Sequence, residues 1–540
     1  MATAARKVPR PIIVKPPDSP DERNPVTQPV AVIDIGTASI RMVVAEIRED
    51  GSIHVLDALA QEVSLGKNTF TKGSIAQSTI EECVRVLRIY RRSLEEYGIT
   101  DRSQVRAVAT SAVREATNRL AFIDRIYSAT GFKVEVIEES RVNHITYLGL
   151  QPILNSQPEL QASRTIISEV GGGSTEILSV DGGEVTFSYT YRLGSLRLRR
   201  LLEAHRAPVG KIRQLMESQI QRTVRHVVER VKTDKRIEMI AIGGDVRFAA
   251  SRILGDMPPD RLGVLPLADL EQFTHRVLSR TVDELVRDDQ LPFADAETLG
   301  PALLAYLRLA GALELDHLYV ASITLRDGLL KELALRDDWT GEFRAEIVRS
   351  AIALGRRFGF LEAHGRHVAD LCARLCRELT DLHELSPRYE LILYLAALLH
   401  DVGNLVSNRG HHKHSMYLIN NSNLFGFGRQ EVLLTALVAR YHRRASPKPT
   451  HEGYATLDWE SRIAVAKMAA ILRVADALDR SGTQRVREIV CERDGGDLVI
   501  VTPGVQDLSS EQFALKQKGT LFEEIFGLRV ILRPDQLPRS

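Results

Sequence analysis

The feature that most constrains the fold is a short pattern that occurs twice: an apolar strand, a glycine-rich turn and a second apolar strand. The first copy reads VAVIDIG, GTAS and IRMVVAEI, and the second reads TIISEV, GGGS and TEILSV. Each copy has an acidic residue before a glycine and a hydroxyl after it: Asp34, Gly36 and Ser39 in the first copy, Glu169, Gly171 and Ser174 in the second. We therefore predict two similar lobes that face each other.

Strands and helices alternate around both copies of the pattern. Apolar residues recur at helical spacing between Gln77 and Gly98, VRAVAT follows as a strand, and SAVREATN opens another helix. This alternation predicts a layered α/β fold. At 540 residues the chain is also too long for one hydrophobic core, because single cores stop growing near about 250–300 residues.

The remaining segments differ in character from the two lobes. The first residues are rich in proline and lack an apolar run, which predicts a disordered tail. Helical patterns dominate from about Asp338 to about Glu492, and a strand, a helix and a strand follow. The predicted domains are a tail at 1–28, lobes at 29–150 and 151–337, an all-α domain at 338–492 and a small α/β segment at 493–540.

Composition narrows the class of function. The formal net charge is +1, without the basic excess that nucleic-acid binding requires, so we expect no nucleic-acid partner. No run approaches the roughly 20 apolar residues of a membrane helix, so we expect no membrane partner either. The four cysteines have no metal-finger spacing and are too few for a disulfide framework. We therefore expect a cytoplasmic protein.

The repeated turns are suited to phosphate. Glycine-rich turns between strands point several backbone N–H groups into one concavity, and glycine lets a phosphate approach the backbone closely. Asp34, Glu169 or Glu176 could hold a Mg²⁺ ion that neutralises the phosphates. Arg114 lies near the start of a helix that follows a strand, where its side chain and the helix dipole act together on an anion. The predicted phosphate-binding residues are Asp34, Gly36, Thr37, Ser39, Arg114, Gly171, Gly172, Gly173, Ser174, Thr175, Gly243 and Gly244.

Six segments, taken in order, resemble the Ppx/GppA family of exopolyphosphatases and guanosine pentaphosphate phosphohydrolases: VAVIDIGTASIRM, AVATSAVREATN, VGGGSTEI, YRLGSLRL, AIGGD and SITLRDGLL. The resemblance covers roughly residues 29–335 and implies the two-lobed actin/hexokinase-like, ribonuclease H-like fold. It implies Mg²⁺ at the phosphate site, and polyphosphate or guanosine pentaphosphate as the substrate. It also implies a homodimer.

Three residues depart from the family pattern, and they concern catalysis. Counting back from Tyr147-Leu148-Gly149 places Val142 where the family has its general-base glutamate, and valine cannot accept a proton. Glu169 replaces an aspartate, and Ala38 replaces an asparagine. The candidate catalytic residues are therefore Glu138, Glu139 and Glu176. Two alternatives stay open: metal-assisted hydrolysis of a terminal phosphoanhydride, or a sensor that binds phosphate chains without cutting them.

The helical part contains nine of the 15 histidines, between His364 and His451. This part resembles the HD-type domain of longer family members, and His364, His400, Asp401 and Asp476 resemble the ligand set of HD-type metallohydrolases. The resemblance implies a divalent cation (Mn, Fe, Mg or Zn). The segments GHHKHS and RYHRR add histidine and arginine that could bind phosphate or a second metal. The alternatives are a scaffold whose histidines are satisfied by hydrogen bonds, or a phosphohydrolase that acts at this metal.

Overall fold

A computed structural model describes residues 28–204, 209–255, 261–335 and 341–534. Apart from Gln28, which begins the first strand, the predicted tail lies outside these residues. Within the described ranges, no helix combines the length and the apolar character needed to cross a membrane. These described residues form a mixed α/β fold with a long helical region and three separate sheets.

The first lobe is a five-stranded sheet in the order β3-β2-β1-β4-β5. Strands β1, β2 and β3 are antiparallel, whereas β4 and β5 continue parallel to β1. The elements of this lobe are β1 (Gln28–Ile35), β2 (Ser39–Ile47), β3 (Ile53–Glu62), α1 (Leu65–Lys72), α2 (Gln77–Glu96), β4 (Val105–Ala109), α3 (Ser111–Glu115), α4 (Arg119–Thr130) and β5 (Val134–Val136).

The second lobe repeats this topology with one additional strand, in the order β10-β11-β9-β6-β7-β8. Its antiparallel strands β6, β7 and β8 correspond to β1, β2 and β3. The elements are α5 (Glu139–Ser156), α6 (Pro158–Ala162), β6 (Arg164–Val170), β7 (Thr175–Asp181), β8 (Glu184–Tyr191), α7 (Ser195–Ala204), α8 (Val209–Arg230), β9 (Ile237–Ile242), α9 (Gly244–Leu254), β10 (Gly263–Pro266), α10 (Leu267–Leu278), α11 (Val282–Asp288), α12 (Phe293–Ala312), β11 (His317–Val320) and α13 (Leu325–Ala334). The predicted pseudo-repeat is confirmed.

Burial explains why both central strands are apolar. Val32 and Ile33 on β1 are fully buried although they point to opposite faces of the sheet. Ile166 and Ile167 on β6 are buried in the same way. A strand that is covered on both faces reads as a continuous apolar run, which is the pattern that the sequence shows.

The two lobes are not divided where the sequence suggested. The predicted boundary after residue 150 falls inside α5, and α13 returns to the first lobe at the end of the second. Leu329 and Leu330 on α13 belong to the same apolar cluster as Val32 on β1 and Ile145 on α5. Only distant packing determines this return, so no local pattern in the sequence could reveal it.

The helical region begins after the lobes and ends on a third sheet, in the order β12-β13-β14. One apolar core includes Leu399 and Leu478 from its helices together with Phe522 and Leu532 from the C-terminal segment. The predicted strand-helix-strand segment is confirmed, except that its helix is broken at Gly519. The elements are α14 (Gly341–Arg357), α15 (Glu362–Glu378), α16 (Thr380–His383), α17 (Pro387–Leu399), α18 (His411–Asn420), α19 (Arg429–Arg440), α20 (Trp459–Leu478), β12 (Val490–Asp494), β13 (Asp497–Thr502), α21 (Ser509–Lys518), α22 (Thr520–Phe526) and β14 (Arg529–Pro534).

Candidate active site

The two glycine-rich turns have the same local structure. The N–H of Gly36 donates to the carbonyl oxygen of Ser39 at 3.0 Å, and the N–H of Gly171 donates to that of Ser174 at 2.9 Å. The turns also approach each other closely, because a Cβ placed on Gly172 would lie 3.0 Å from Cγ2 of Thr37. The sequence suggested that glycine at position 172 leaves space for a phosphate. In the structure, Thr37 of the opposite lobe packs against that space.

A cleft of about 260 Å³ lies between the lobes at these turns. Gly173 and Thr175 do not line it. A Cβ on Gly173 would lie 2.4 Å from Oγ of Ser111, and the hydroxyl of Thr175 donates to the carbonyl of Leu193. The residues of the predicted phosphate site that do line the cleft, together with the candidate base Glu176, are Asp34, Gly36, Thr37, Ser39, Arg114, Gly171, Gly172, Ser174, Glu176, Gly243 and Gly244.

Asp34 at the end of β1 is suited to a cation. Its Oδ1 is buried and has no hydrogen-bond partner within the described part of the chain, and its Oδ2 lies 3.6 Å from Nη1 of Arg326. Burial raises the pKa of the Asp34 carboxyl, and the guanidinium groups of Arg326 and Arg41 oppose that rise. An unsatisfied carboxylate oxygen in a cleft is a ligand of the kind that Mg²⁺ prefers.

Two further carboxyls face the same cleft from neighbouring strands, Glu169 on β6 and Glu176 on β7. Burial raises the pKa of both groups, and that of Glu176 reaches about 8 because the charge of Glu169 adds to the effect of burial. The hydroxyl of Ser174 donates to Oε1 of Glu176 at 2.6 Å and works in the opposite direction. A divalent cation would relieve the crowding of these carboxyls, so the residues present fit Mg²⁺.

The start of α5 places Val142 and the candidate bases Glu139 and Glu138 in three different environments. Val142 is only 7% exposed and lines the cleft. Oε1 of Glu139, about one turn earlier, lies 3.5 Å from Nη2 of Arg114. Glu138 faces a different cavity, between the first lobe and the helical region, where its Oε2 lies 3.5 Å from Nε of Arg429.

Arg114 is held in place at the edge of the cleft. Its side chain is 8% exposed, and Nη1 donates to the carbonyl oxygen of Ile137 at 2.9 Å. Among the arginines of YRLGSLRLRR, Arg192 pairs with Glu115 and Arg200 pairs with Glu297. Arg197 pairs with Glu115 and also donates from Nε to the carbonyl oxygen of Gly173, in the second glycine-rich turn, at 2.8 Å. Arg114 is the predicted phosphate-binding arginine, and it lines the cleft.

Sequence reasoning missed three charged residues that line the cleft: Arg41, Asp245 and Asp295. Arg41 could have been found, because it lies two positions after Ser39 on β2 and so points to the same face. Burial and the charge of Asp295 raise the pKa of Asp245 to about 7, while the hydroxyl of Thr298 donates to Oδ1 of Asp245 at 3.1 Å. Asp295 comes from a distant helix and had no signal in the sequence.

The structure brings the four predicted metal ligands of the helical region together. Nε2 of His364 and Nε2 of His400 lie 3.8 Å and 3.9 Å from Oδ1 of Asp476, and Nε2 of His400 lies 3.8 Å from Oδ2 of Asp401. Lys518 pairs with the other oxygen of Asp476. Burial opposes ionisation of Asp476, but Lys518 and the surrounding histidines hold its pKa below the ordinary value.

Two lobes of repeated topology, with glycine-rich turns and carboxyls facing one cleft, define a protein of the actin-like fold class. The sequence model of the Ppx/GppA phosphatase family matches residues 43–337, and that of domain III of the same family matches residues 348–497. The chain belongs to the Ppx/GppA phosphatase family.

Curated relatives and solved structures agree with this assignment. The chain is 21% identical over 456 residues to a guanosine-5'-triphosphate,3'-diphosphate pyrophosphatase of Photobacterium profundum, covering 84% of this chain and 88% of that protein. A protein of the same name from Vibrio vulnificus is 24% identical over 425 residues, covering 76% and 80%. The crystal structure of an exopolyphosphatase from Cytophaga hutchinsonii matches with a TM-score of 0.52 at 22% identity, covering 57% of this chain and 98% of that one. The last similarity shows the fold.

Proposed function

We propose that the cleft between the lobes removes the terminal phosphate from inorganic polyphosphate or from guanosine pentaphosphate. The observation that carries this proposal is the convergence of Asp34, Glu169 and Glu176 between two phosphate-type turns. The names of the curated relatives, guanosine-5'-triphosphate,3'-diphosphate pyrophosphatases, support the same class of substrate.

The backbone and Arg114 would bind the phosphate chain. N–H groups of the two turns and the hydroxyl of Thr37 are hydrogen-bond donors that line the cleft, whereas the hydroxyl of Ser174 already donates to Glu176. Arg114 contacts Ile137 and Glu139 with part of its guanidinium group. Its remaining N–H groups can donate to phosphate oxygens. Donors that are fixed before the substrate arrives stabilise charge that develops during the reaction.

Asp34 and Glu169 are the residues that would hold Mg²⁺, since both are buried carboxyls at strand ends in the cleft. When bound, Mg²⁺ neutralises phosphate charge and polarises the bond that breaks.

We assign the general base to Glu176, because its carboxyl lines the cleft and its pKa of about 8 is close to a working pH. Oε2 of Glu176 would take the proton of the attacking water, since Oε1 already accepts a hydrogen bond from Ser174. Glu139 is the second candidate, through its contact with Arg114. Glu138 is the least suited of the three because it faces the other cavity.

Val142 favours a second candidate function, in which the cleft binds phosphate chains and releases them uncut. A buried valine faces the cleft at the position where the family resemblance implies a glutamate. Without a substitute base the cleft would act as a sensor of polyphosphate or of guanosine pentaphosphate.

Phosphate release by the intact protein separates the two functions. We expect release that depends on Mg²⁺ from at least one of the two substrates, and a Glu176→Gln variant that still binds substrate but turns it over at least about 100-fold more slowly. Tight binding without release by the wild type would support the sensor instead. A wild-type protein that neither binds nor hydrolyses either substrate would contradict both functions.

For the helical region we propose an HD-type domain that binds at least one divalent cation on His364, His400, Asp401 and Asp476. The distances among these side chains support the proposal. For the front part of the chain we propose lobes at about 29–150 and 151–337, except that their boundary falls inside α5 and that α13 packs on the first lobe.

A further inference from the structure

The loop between α18 and α19, residues 421–428, contributes buried side chains to two different cores. Leu424 and Phe427 belong to the apolar core of the helical region. Phe425 lies between them in the sequence, but it is only 1% exposed within a core of the second lobe that also contains Tyr147 on α5. A fully buried aromatic side chain contributes strongly to the core that it enters. The helical region is therefore anchored in the second lobe through Phe425.

The backbone of this loop permits the change of direction between the two cores. Gly426 has a φ of 79°, in the left-handed region where other residues meet a steric cost. This turn lies between Phe425 and Phe427 and lets the two aromatic side chains enter different cores.

The loop contacts one face of α5. Ser140, His144 and Tyr147 are spaced four and three residues apart, so they lie on the same side of the helix. The rings of His144 and Tyr147 meet the ring of Phe425 edge to face, with centroid distances of 5.5 Å and 6.0 Å. The hydroxyl of Ser140 donates to the carbonyl oxygen of Phe427. The loop therefore holds the first two turns of α5.

Another face of the same two turns serves the interlobe cleft. Val142 lines the cleft, and Oε1 of Glu139, three residues earlier, lies 3.5 Å from Nη2 of Arg114. Arg114 also donates to the carbonyl oxygen of Ile137, just before α5 begins. Because protein interiors are close-packed and transmit displacements, a contact on one face of a helix fixes the groups on its other face.

Burial, rather than charge, provides most of this anchoring. Oε2 of Glu138 lies 3.5 Å from Nε of Arg429, but the side chain of Arg429 is 87% exposed. Exposed ion pairs contribute little because water and salt screen the charges. The buried ring of Phe425 is therefore the contact that matters most between the loop and α5.

We infer that Phe425 is a positioning residue for the interlobe cleft. Phe425 does not line the cleft, so it acts through α5, whose start sets where Glu139, Val142 and Arg114 lie relative to a bound phosphate. The inference rests on the function proposed for the cleft and makes the helical region a part of that function. Displacement of a site by about 1 Å can lower the rate of a reaction about 100-fold.

Phosphate release by the intact protein tests the inference, with whichever of the two proposed substrates the wild type hydrolyses. Phe425→Ala should lower kcat at least about tenfold and change KM less than about threefold, because misplaced groups lose mainly transition-state stabilisation. Phe425→Leu fills most of the same space and should keep at least about a third of the wild-type kcat.

Phe522→Ala is the matched control for the kinetic test. Phe522 is also only 1% exposed, but it belongs to the core of the helical region. Its loss should leave kcat within about threefold of the wild type, at a temperature where all variants are folded. A wild-type kcat in Phe425→Ala, or an equal loss of kcat in Phe522→Ala, would overturn the inference.

Hydrogen–deuterium exchange without substrate tests the same contact independently of any reaction. Ser140→Ala removes one hydrogen bond between α5 and the loop and leaves no large cavity, so it serves even if Phe425→Ala does not fold. The amides of residues 141–147 should exchange at least about threefold faster in Ser140→Ala and faster still in Phe425→Ala, but at the wild-type rate in Phe522→Ala.

The exchange rates also separate the inference from the proposed function. A wild type that releases phosphate, with unchanged exchange of residues 141–147 in Ser140→Ala and Phe425→Ala, would overturn the inference alone. A wild type that releases no phosphate, with faster exchange in both variants, would contradict the proposed function but support the anchoring of α5 by the loop.

Discussion

At the scale of single residues, Val142 decides how the cleft works. Its side chain lies among phosphate loops and carboxyls, yet it can neither donate nor accept a proton. The sequence located this departure by counting from Tyr147-Leu148-Gly149, and the structure places the same residue at the cleft. The catalytic consequence therefore depends on whether a neighbouring carboxyl acts instead.

We predict that Val142→Glu raises the turnover of polyphosphate at least about tenfold without tightening its binding, because a base acts in the transition state. Val142→Gln is the matched control, since it has a similar shape and no proton-accepting carboxylate. Steady-state kinetics give both quantities. A gain in the Gln variant equal to that in the Glu variant would show that polarity, not basicity, matters at this position.

Glu176 makes a prediction about stability in the absence of metal. Its folded-state pKa is about 8 against an ordinary 4.5, so the folded protein keeps a proton that the unfolded chain releases. The stabilising effect is complete below about pH 4.5 and is lost as pH rises toward 8.

Glu176→Gln, which stays neutral, should therefore reduce the loss of stability between pH 5 and pH 8 by at least about 1 kcal/mol. Denaturant unfolding of both proteins in a chelating buffer measures this, and comparing the two cancels the contributions of titrating groups that do not interact with Glu176, such as Asp245. The same pH dependence in both proteins would contradict the raised pKa.

At the scale of elements, the contact between α5 and α13 joins the end of the second lobe to the core of the first. A Cβ on Gly328 would lie 1.9 Å from the carbonyl oxygen of Ile145, so the two helices touch backbone to backbone. This contact positions the start of α5, from which Val142 and Glu139 reach the cleft edge. Packing between the lobes thus supports the geometry of the site.

Gly328→Ala should destabilise the protein by about 1–3 kcal/mol, because the added methyl group has no space. Gly311→Ala is the control: it is also a helical glycine, but a Cβ there meets nothing within 4 Å, so it should be neutral or slightly stabilising. Thermal unfolding of the two variants beside the wild type compares them. If the Gly328→Ala variant unfolds at the same temperature as the wild type, α13 is not tightly packed on α5.

The elements themselves were largely predictable, because each depends on local pattern. Continuous apolar runs marked β1, β4, β6 and β13, and helical spacing between Gln77 and Gly98 marked α2, which ends at Glu96. The break at Gly519 was missed because a short loop between two helices changes little in the apolar pattern.

At the scale of the whole molecule, the sequence predicted those features that come from a repeated segment or from a recognisable motif. The repeated turns predicted the two facing lobes and the part of the cleft lining that the turns supply, because both copies show the same spacing. Asp295 reaches the site from an element far along the chain, and only packing brings it there. For the same reason, the sequence flagged the histidine-rich segments but could not show that His411 and His442 share Asp401 with His400.

The measurement that tests the central claim most directly is phosphate release from polyphosphate and guanosine pentaphosphate by the intact wild type and by Asp34→Asn. If the interlobe cleft is the active site, Asp34→Asn should lower release at least about tenfold, because it removes a carboxylate that would hold Mg²⁺. Asp269→Asn, an exposed position on α10, should release phosphate at the wild-type rate. Wild-type release that persists unchanged in Asp34→Asn would contradict the account and place the reaction outside this cleft.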